Sequence, residues 1–353
     1  MPRPTPDDDP ANAASIDDVE MLEEMLSRPT GEVVETMRRL EGDILLLGVG
    51  GKIGPSLARM ARRASDAAGV PRRVIGVARF SNAALEEQLR RDGIETIRCD
   101  LLDPEALDAL PEAPNVVYLA AWKFGATGQE ARLWAMNAYL PGMVCRRFAR
   151  SRIVAYSTGN VHPFVPADSG GSVETDAPGP VGEYAMSCLG RERIVEHFSR
   201  TFGTPAALVR LNYAHEMRYG VIVDLAAKVQ LGEPIDLRMG YFNAIWQGDS
   251  NAMTLRLFDY VASPPLVLNV TGPATLRVRD VADQLGRRLG VEPRFSGEES
   301  PDALLSNAGR AFALLGRPRV SEERLVEWIA DWRRRGGPML GKPTHFDARD
   351  GKF

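Results

Sequence analysis

The sequence predicts an α/β protein: a doubly wound parallel sheet followed by a smaller C-terminal lobe. The first observation is a short, wholly apolar run at residues 44–47, which is typical of a strand buried on both faces of a parallel sheet. The second is the regular alternation of such runs with amphipathic segments as far as Leu211. The third is a glycine-rich turn that joins the first run to the amphipathic segment after it.

Two helices are predicted ahead of the first strand. Residues 16–26 follow Ser15 as N-cap and carry two acidic residues in the first turn. Residues 31–40 form a second candidate helix. This arm, residues 1–42, is expected to pack on the core or on another subunit. Its Pro-, Asp- and Ala-rich beginning, residues 1–14, is expected to be a disordered tail.

The glycine-rich turn at residues 48–54 reads GVGGKIG. Gly48, Gly51 and Gly54 let the backbone turn tightly and approach a pyrophosphate, which the free N–H groups at the helix start then bind. Lys52 and Ile53 lie inside the turn and are candidate cofactor contacts. Strand, turn and helix therefore predict the first unit of a dinucleotide-binding, Rossmann-type domain.

The second strand, residues 74–77, bears on the choice of cofactor. In this architecture its end meets the adenosine ribose, where an acidic residue selects NAD. Here Arg79 follows Ala78, and an Arg could pair with the 2′-phosphate of NADP. Lys52 adds a second positive charge nearby. NADP is therefore favoured over NAD, with two solvated surface cations as the alternative interpretation.

The remaining strands of the nucleotide-binding domain follow the same rhythm, at residues 94–98, 115–121, 153–156 and 206–211. A long helix is predicted around residues 134–148, and another is opened by Glu183 and Tyr184. In open α/β sheets the chemistry lies at the carboxyl ends of the strands. The residues after the fifth strand are thus candidates for the active site.

Several motifs, in this order, resemble the NAD-dependent epimerase/dehydratase family of the extended short-chain dehydrogenase/reductase superfamily. The matching segments are GVGGKIG at 48–54, DLLD at 100–103, YLAA at 118–121, Asn137, YSTGNV at 156–161, Tyr184 and RLN at 210–212. The resemblance implies an NAD(P)-dependent oxidoreductase or epimerase that acts on a sugar, sugar acid or nucleotide sugar by hydride transfer. It also implies a homodimer.

For the cofactor, the resemblance implies that the glycines of the turn hold the pyrophosphate. Asp100 and Leu101 would flank the adenine. Ala120 and Ala121 would line the cofactor, with Asn137 behind it.

For the chemistry, the resemblance implies that Tyr184 is the acid/base and that Thr158 hydrogen-bonds the substrate oxygen. Ser157, also delivered at the end of the fifth strand, is a further candidate catalytic residue. Asn160 and Asn212 would face the substrate. Hydride transfer from an alcohol carbon needs a group that removes the hydroxyl proton, and a Tyr can do so only if its anion is stabilised.

The sequence departs from the family pattern at the residue that would stabilise this anion. Family members carry a Lys four residues after the Tyr, and Cys188 occupies that position here. Lys123, after the fourth strand, is the candidate substitute cation. A second interpretation is an enzyme whose slow step does not use a phenolate. The third is a non-catalytic dinucleotide-binding protein. An active enzyme is favoured, and Cys188 is expected to be a packing residue.

A second departure narrows the reaction. Sugar dehydratases of the family carry an Asp–Glu pair directly after the Thr, whereas this chain has Gly159 and Asn160 there. Dehydration is therefore disfavoured. His162 is a candidate proton relay or substrate contact, because its unperturbed pKa lies near neutrality, and a structural role is the alternative.

The C-terminal half, residues 213–335, is expected to form the substrate lobe together with late elements of the nucleotide-binding domain. Helices are predicted at 219–230, 250–261 and 278–289, the second capped by Asp249, and strands at 235–237 and 266–270. Polar groups suited to a polyol are expected around the cleft: Arg210, Asn212, His215, Glu216, Tyr241, Asn243, Trp246 and Gln247. The tail, residues 336–353, is free by default or docks through Phe346 and Phe353.

Composition excludes several classes of protein. With 44% hydrophobic and 25% charged residues the chain is an ordinary globular protein, and a net charge of -4 argues against nucleic acid as a partner. The cysteines, at positions 99, 145 and 188, have neither metal-site nor disulfide spacing. No metal and a reduced, cytoplasmic setting are expected. No apolar stretch is long enough for a membrane span.

Overall fold

The computed structural model describes residues 12–125 and 127–352. The expected disordered tail therefore lies almost wholly outside the described residues, as does Phe353. Within the part of the chain that the structure describes, no helix has the length and apolar character needed to cross a bilayer.

Short strands occur throughout the described chain. They are β1 (Ile44–Leu47), β2 (Val74–Ala78), β3 (Glu95–Arg98), β4 (Asn115–Tyr118), β5 (Arg152–Thr158), β6 (Val165–Pro166), β7 (Ala206–Leu211), β8 (Ala214–His215), β9 (Pro234–Asp236), β10 (Tyr241–Phe242), β11 (Ile245–Trp246), β12 (Leu266–Val270), β13 (Leu276–Arg277), β14 (Arg294–Ser296) and β15 (Asp302–Ala303).

Helices separate most of these strands. They are α1 (Val19–Leu26), α2 (Gly31–Arg39), α3 (Gly54–Ala67), α4 (Ala83–Arg91), α5 (Pro104–Asp108), α6 (Glu130–Trp134), α7 (Leu140–Arg147), α8 (Gly182–Phe202), α9 (Val221–Leu231), α10 (Gln247–Arg256), α11 (Val278–Leu289), α12 (Gly309–Leu315) and α13 (Glu322–Arg334). A π-helical turn, Ala135–Tyr139, joins α6 to α7, so the predicted long helix is continuous but not regular.

The central element is a seven-stranded sheet in the order β12-β7-β5-β4-β1-β2-β3, and each of its pairs is parallel. Ile44 of β1 pairs with Val74 on one side and with Asn115 on the other. The first strand thus lies inside the sheet, and later strands are added on both sides of it, which confirms the predicted doubly wound sheet.

Both faces of this sheet are buried because its strands alternate between two apolar layers. Ile44 and Leu46 pack with α2, α3 and α10 on one face. Leu45 and Leu47 face the other layer, which includes Val144 and Val195 of α7 and α8. Burial on both faces explains why β1 reads as an unbroken apolar run.

A separate apolar core lies in the C-terminal half, among α9, α11 and α13. The N-terminal arm packs on both cores: Leu22 and Met25 of α1 belong to the C-terminal core, whereas Val33 and Met37 of α2 belong to the sheet. The expectation that the arm packs on the body of the protein is therefore met. The predicted cap of α1 is wrong: the N-cap is Asp18 and not Ser15. The Asp18 carboxylate accepts a hydrogen bond from the Met21 N–H at 2.8 Å.

Candidate active site

Two cavities open at the carboxyl edge of the sheet and share the glycine turn as a common wall. The first has a volume of about 260 Å³ and extends towards the ends of β2 and β3. The second has a volume of about 320 Å³ and extends towards β5, β7 and the C-terminal lobe. Gly48 and Gly51 line both. One elongated ligand could therefore lie across the turn with an end in each cavity.

The space around a Cβ atom differs among the three glycines of the turn. Gly48 has a φ of +93°, and a Cβ there would lie 2.7 Å from the Ala120 backbone nitrogen. A Cβ at Gly54 would lie 2.2 Å from the Val49 carbonyl oxygen. Gly51 is exposed, and its Cβ would meet nothing closer than the Gly48 oxygen at 3.5 Å. No contact within the fold therefore requires glycine at position 51, and because Gly51 lines both cavities, close approach of a ligand is consistent with it.

The start of α3 faces the same junction. No side chain caps this helix, and the preceding residue, Ile53, already has a helical backbone. The first N–H groups of a helix carry a partial positive charge and need acceptors. The turn and α3 therefore fit the pyrophosphate of a dinucleotide, as the sequence predicts.

The first cavity contains most of the predicted cofactor contacts. Its lining includes Arg79, Asp100, Leu101, Ala120 and Ala121. Lys52 and Ile53 do not line it but line the second cavity. The expectation that Lys52 adds its charge beside Arg79 is therefore wrong, because its side chain extends to the opposite side of the turn.

The second cavity brings together residues from four elements and the loops after them. Those predicted for catalysis or substrate binding that line it are Lys123, Thr158, Asn160, Tyr184 and Asn212. Parallel strands end at a common edge, and the start of α8 lies over it, which explains how residues far apart in sequence converge.

Lys52 projects into this cavity between two aromatic rings. Its Nζ lies 3.5 Å from the ring centroid of Tyr219 and 4.6 Å from that of Phe124. Burial, together with the nearby charge of Lys342, lowers the pKa of Lys52 to about 8. The rings stabilise the ammonium group through cation–π contacts, and the cavity thus has a positively charged wall.

Lys123 directly precedes Phe124 in the sequence, and its side chain lies close to Tyr184. Its Nζ is 5.4 Å from the centroid of the Tyr184 ring and 5.1 Å from that of Phe124. Burial and the charge of Lys52 lower the pKa of Lys123 to about 7. At neutral pH this lysine is therefore only partly protonated.

Tyr184 is held at the first turn of α8. Its side chain hydrogen-bonds those of Thr158 and Cys188. Burial raises the pKa of the phenol well above its usual range, and the nearby charge of Arg191 opposes that effect. Cys188 is fully buried one turn further along the helix, and burial raises its pKa as well. It is therefore a neutral thiol packed beneath Tyr184.

Arg191 is a buried cation that the sequence analysis did not consider. It is 2% exposed, and its nitrogens donate to the Asn137 backbone oxygen at 3.2 Å, the Tyr156 oxygen at 2.8 Å and the Asn137 Oδ1 at 3.1 Å. The signal that could have revealed it is its spacing, seven residues after Tyr184 on the same helix face.

Ser157 and His162 lie outside the second cavity. Side chains alternate along a strand, so Tyr156 and Thr158 face the cavity while Ser157 points to the other side and donates to Glu192 Oε1 at 2.6 Å. His162 is 1% exposed, and its Nε2 lies 2.8 Å from Asn269 Oδ1. Ser157, a predicted catalytic residue, therefore does not line this cavity, and the hydrogen bond of the buried His162 fits the alternative of a structural role.

The expected grouping of polyol-binding residues is also largely wrong. Of that group, only Asn212 and Gln247 line the second cavity. The others have partners within the fold: Arg210 with Glu192, His215 with the Tyr213 backbone oxygen, Glu216 with Arg218, Tyr241 with Glu299, Asn243 with the Ala274 oxygen and Trp246 with Trp328.

The segment 339–352, here called the C-terminal strap, crosses the substrate side of the site. Thr344 lines the second cavity and donates from both its N–H and its hydroxyl to Asp224 Oδ2, at 2.8 and 2.6 Å. Phe346 is 3% exposed and its ring centroid lies 6.1 Å from that of Phe242. The default expectation of a free tail is therefore wrong for the described part of this segment, which docks through Phe346 as the alternative proposed.

The end of the strap reaches the start of α8. A Cβ at Gly182 would lie 2.6 Å from the Gly351 oxygen, so the two backbones are in close contact. Asp350, Gly351 and Lys352 line a third cavity, of about 200 Å³, together with Lys123 and Tyr184. The strap thus shields the catalytic edge of the sheet from one side.

Comparison with known families gave a match to one model, described as the NAD dependent epimerase/dehydratase family, over residues 44–238. This range includes the glycine turn, Thr158 and Tyr184. The sequence search of curated proteins found no significant match.

Solved structures of similar fold include MoeE5 in complex with UDP-glucose and NAD, at 21% identity and a TM-score of 0.68, covering 84% of this chain and 99% of that one. A UDP-glucose 4-epimerase from Thermotoga maritima has 18% identity and a TM-score of 0.68, covering 83% and 99%. A UDP-glucuronic acid 4-epimerase from Bacillus cereus, in complex with UDP-glucuronic acid and NAD, gives the same four values. At these identities the likeness supports the fold.

Proposed function

The chain belongs to the NAD dependent epimerase/dehydratase family, and from that premise we propose that it is an NAD(P)-dependent enzyme that epimerises or oxidises a nucleotide sugar. The single observation that carries the proposal is the second cavity, which Tyr184 and Thr158 share with the glycine turn. Family membership does not favour the alternative of a dinucleotide-binding protein without turnover. Gly159 and Asn160, where an Asp–Glu pair would be needed, continue to disfavour dehydration.

In the proposed mechanism Tyr184 is the general acid/base for the reacting hydroxyl, and Thr158 hydrogen-bonds the same substrate oxygen. Asn160 and Asn212 orient the sugar from the other walls of the cavity. A nicotinamide held by the glycine turn and the first cavity would supply hydride chemistry at the alcohol carbon. Lys123 contributes positive charge near the Tyr184 ring to the extent that it is protonated.

We propose that the first cavity binds the adenosine half of NAD or NADP, with Asp100 and Leu101 beside the adenine. MoeE5 and the Bacillus cereus epimerase, two of the proteins of similar fold, were solved with NAD. The choice of NADP depends on Arg79, which is exposed and lines this cavity. Its guanidinium is the group there that could pair with a 2′-phosphate.

The proposed substrate is a nucleotide sugar, the class of ligand named in the relatives of known structure. Lys52 favours a sugar that carries a carboxylate. Among the described residues no carboxylate forms an ion pair with Lys52, and the nearest acidic side chains already have partners: Asp224 binds Thr344 and Glu216 binds Arg218. An acidic substituent would therefore complete the charge balance of the cavity wall.

Calorimetry would test this proposal. The wild-type protein should bind NADP or NAD and, once saturated with cofactor, UDP-glucuronate more tightly than UDP-glucose. Gly51→Asp should abolish cofactor binding, because both the side chain and its charge oppose a pyrophosphate. Gly31→Asp is the matched control, since a Cβ at Gly31 meets nothing within 4 Å. Absence of heat with either cofactor in the wild-type protein would refute the central claim.

Lys52→Met should weaken UDP-glucuronate about tenfold or more, the value of a charge-assisted hydrogen bond, and leave UDP-glucose unchanged. Arg287→Met is the control with the same change of charge, because this arginine is exposed on α11 and lines neither cavity. Equal loss of affinity for both sugar nucleotides would show that Lys52 does not bind the carboxylate of the sugar.

Two further proposals concern the setting of the enzyme. A homodimer is proposed because exposed apolar residues lie on α6, the π-helical turn and α8: Trp134, Tyr139, Met186 and Phe202.

A cytoplasmic location is proposed because Cys99, Cys145 and Cys188 are free thiols, as expected of proteins in a reducing compartment.

A further inference from the structure

Arg191 is buried without a matching negative charge. Within the described residues no carboxylate lies within ion-pair distance of its guanidinium, and its hydrogen bonds go to the neutral oxygens of Asn137 and Tyr156. The adjacent acidic residue, Glu192, instead forms an ion pair of 2.7 Å with Arg210 and accepts from Ser157. Burying a charge without an opposite partner is costly, so this arrangement needs an explanation beyond packing.

The position of Arg191 on α8 provides one. Tyr184, Cys188 and Arg191 are separated by four and three residues, which puts all three on one face of the helix. The charge of Arg191 acts on both Cys188 and Tyr184. Cys188 is the smaller side chain between them and is fully buried.

We propose that Arg191 is a positioning residue that supplies the positive charge for the Tyr184 phenolate, in place of the lysine that Cys188 replaces. The inference rests on the proposed function, because it assigns a role to Tyr184 as the acid/base. In this arrangement the cation has moved from one helical turn after the tyrosine to two turns after it. Cys188, which lies between Tyr184 and Arg191 on this face of the helix, is a small and fully buried side chain.

Arg191 suits this role better than Lys123 because a guanidinium stays charged at every pH at which the protein functions. Lys123 has a pKa of about 7 and loses its charge within the working range. Asn137 holds the guanidinium in place through its backbone oxygen and its Oδ1, and Asn137 Oδ1 also accepts from the Trp122 N–H at 2.9 Å. Arg191 is thus fixed and permanently cationic.

Close to Tyr184 are Lys123 from the loop after β4 and Cys188, Arg191 and Glu192 from α8, and Tyr118 of β4 contacts Arg191. The cavities that Tyr184 lines add further ionisable groups: Lys52, Tyr213 and Tyr219 in one and Glu130, Glu183, Asp350 and Lys352 in the other. Arg191 is the guanidinium among these groups, and it stays charged at every relevant pH. A nearby positive charge stabilises the phenolate and lowers the pKa of Tyr184, so removal of Arg191 must raise that pKa.

The test measures the ionisation of position 184 without a substrate. Difluorotyrosine, whose phenol is more acidic than that of tyrosine, is incorporated at position 184, and its fluorine NMR signal is followed against pH in NAD-saturated protein. Arg191→Met should raise this pKa by about one unit or more. Arg193→Met, an exposed arginine on the same helix, should leave it unchanged. A folded Arg191→Met protein with the wild-type pKa would overturn the inference.

Two further variants keep the test decisive if Arg191→Met does not fold. The double variant Cys188→Lys, Arg191→Met returns the cation to the position one turn after Tyr184 and should restore the wild-type pKa to within about half a unit. Asn137→Asp keeps Arg191 but places a carboxylate where Oδ1 lies 3.1 Å from the guanidinium, and should raise the pKa. An unchanged pKa in Asn137→Asp would count against the inference.

The proposed function fails differently. If the fluorine titration behaves as expected but no nucleotide sugar binds or turns over, the role of Arg191 as a charge partner of Tyr184 stands and the assignment of the reaction falls. If nucleotide sugars are turned over and the titration does not respond to Arg191, only the present inference falls.

Discussion

In the proposed binding mode the choice between NADP and NAD depends on Arg79. This residue is exposed and lines the first cavity, whereas Lys52 lines the second. A lost charge-assisted bond costs about 1.5–3 kcal/mol. Arg79→Ala should therefore weaken NADP about tenfold or more and leave NAD nearly unchanged in calorimetry. Arg146→Ala, an exposed arginine elsewhere, is the control. Equal weakening of both cofactors would show that Arg79 does not read the phosphate.

Tyr184 is the residue on which catalysis depends in the proposed mechanism. Tyr184→Phe should lower turnover of a nucleotide sugar by about 10²-fold or more, because the general acid/base is lost, while cofactor affinity stays within a few-fold. The assay needs a product-isomer readout as well as nicotinamide absorbance, since an epimerase returns its hydride. Tyr139→Phe is a matched control on a 61% exposed tyrosine. Turnover at the wild-type rate in Tyr184→Phe would contradict the assignment.

Sequence reasoning located the residues of the active edge but not the direction of every side chain. Thr158 and Ser157 are neighbours in the YSTGNV motif, and only strand alternation decides that Thr158 faces the cavity. Arg191 was missed for a related reason. A buried arginine on an otherwise ordinary helix is read as a surface charge until its partners are known, and those partners, Asn137 and Tyr156, come from other elements.

At the scale of elements, prediction succeeded where local pattern determines structure. Ile44–Leu47, Ala206–Leu211, Leu266–Val270 and Val278–Leu289 begin and end where the sequence predicts, because burial on both faces or one apolar stripe fixes each of them. The predicted helix cap at Asp249 is wrong. This residue lies inside α10, which begins at Gln247, and accepts from the backbone N–H groups of Arg319 and Val320, each at 3.0 Å, so it does not cap the helix.

The start of α9 carries a pH-sensitive contact. His215 Nδ1 lies 2.7 Å from the Tyr213 oxygen and Nε2 accepts from the Ile222 N–H at 3.2 Å, so the ring is neutral. Burial lowers its pKa to about 4. Because the unfolded chain binds this proton near pH 6.5, stability is lost as pH falls from about 6.5 towards 4.

Because His215 is protonated in the unfolded chain but not in the folded one, the free energy of unfolding should fall by about 2 kcal/mol between pH 7 and pH 5. Urea unfolding of wild-type protein and of His215→Gln at both pH values isolates the effect, since the other titrating groups are common to both. His197→Gln, on an exposed histidine, should behave as wild type. An identical loss of stability in His215→Gln and wild type would contradict the assignment.

The C-terminal strap should be held chiefly by Phe346. Loss of a buried phenylalanine costs about 3–5 kcal/mol, more than the strap gains from its polar contacts, so Phe346→Ala should release it. Hydrogen exchange of the Thr344 amide, which donates to Asp224, should then accelerate by about 10²-fold or more while the sheet stays protected. Met339→Ala, 37% exposed in the same strap, is the control. An unchanged Thr344 exchange rate would mean that other contacts hold the strap.

At the scale of the whole molecule, the chain is divided less simply than the sequence suggests. We propose residues 43–212 as the dinucleotide-binding domain and 213–335 as the substrate lobe, but β12 returns from the second segment to complete the edge of the sheet beside β7. The arm and the strap, which contain no chemistry of their own in the sequence, pack on both parts. Long-range packing of this kind has no local signal, so the sequence leaves open whether the arm packs on the core or on another subunit and whether the tail is free or docked.

The last expectation concerns the assembly of the protein. α7 and α8 already pack closely, since a Cβ at Gly142 would lie 3.3 Å from Ile194 and Phe198. The outer surface of the π-helical turn that leads into α7 exposes Tyr139 by 61%, and the end of α8 exposes Phe202 by 49%. Two copies of this helix pair, related by a twofold axis, would form a four-helix bundle and bury these side chains.

Light scattering at micromolar concentration should therefore give twice the 38.7 kDa mass of one chain. Phe202→Asp should shift the mass towards that of the monomer, because an unpaired carboxylate would be buried in the interface. Leu231→Asp is the control, on a leucine that is 70% exposed on α9, away from the helix pair. A single-chain mass for the wild-type protein, or dissociation by the control variant alone, would contradict an interface built from α7 and α8.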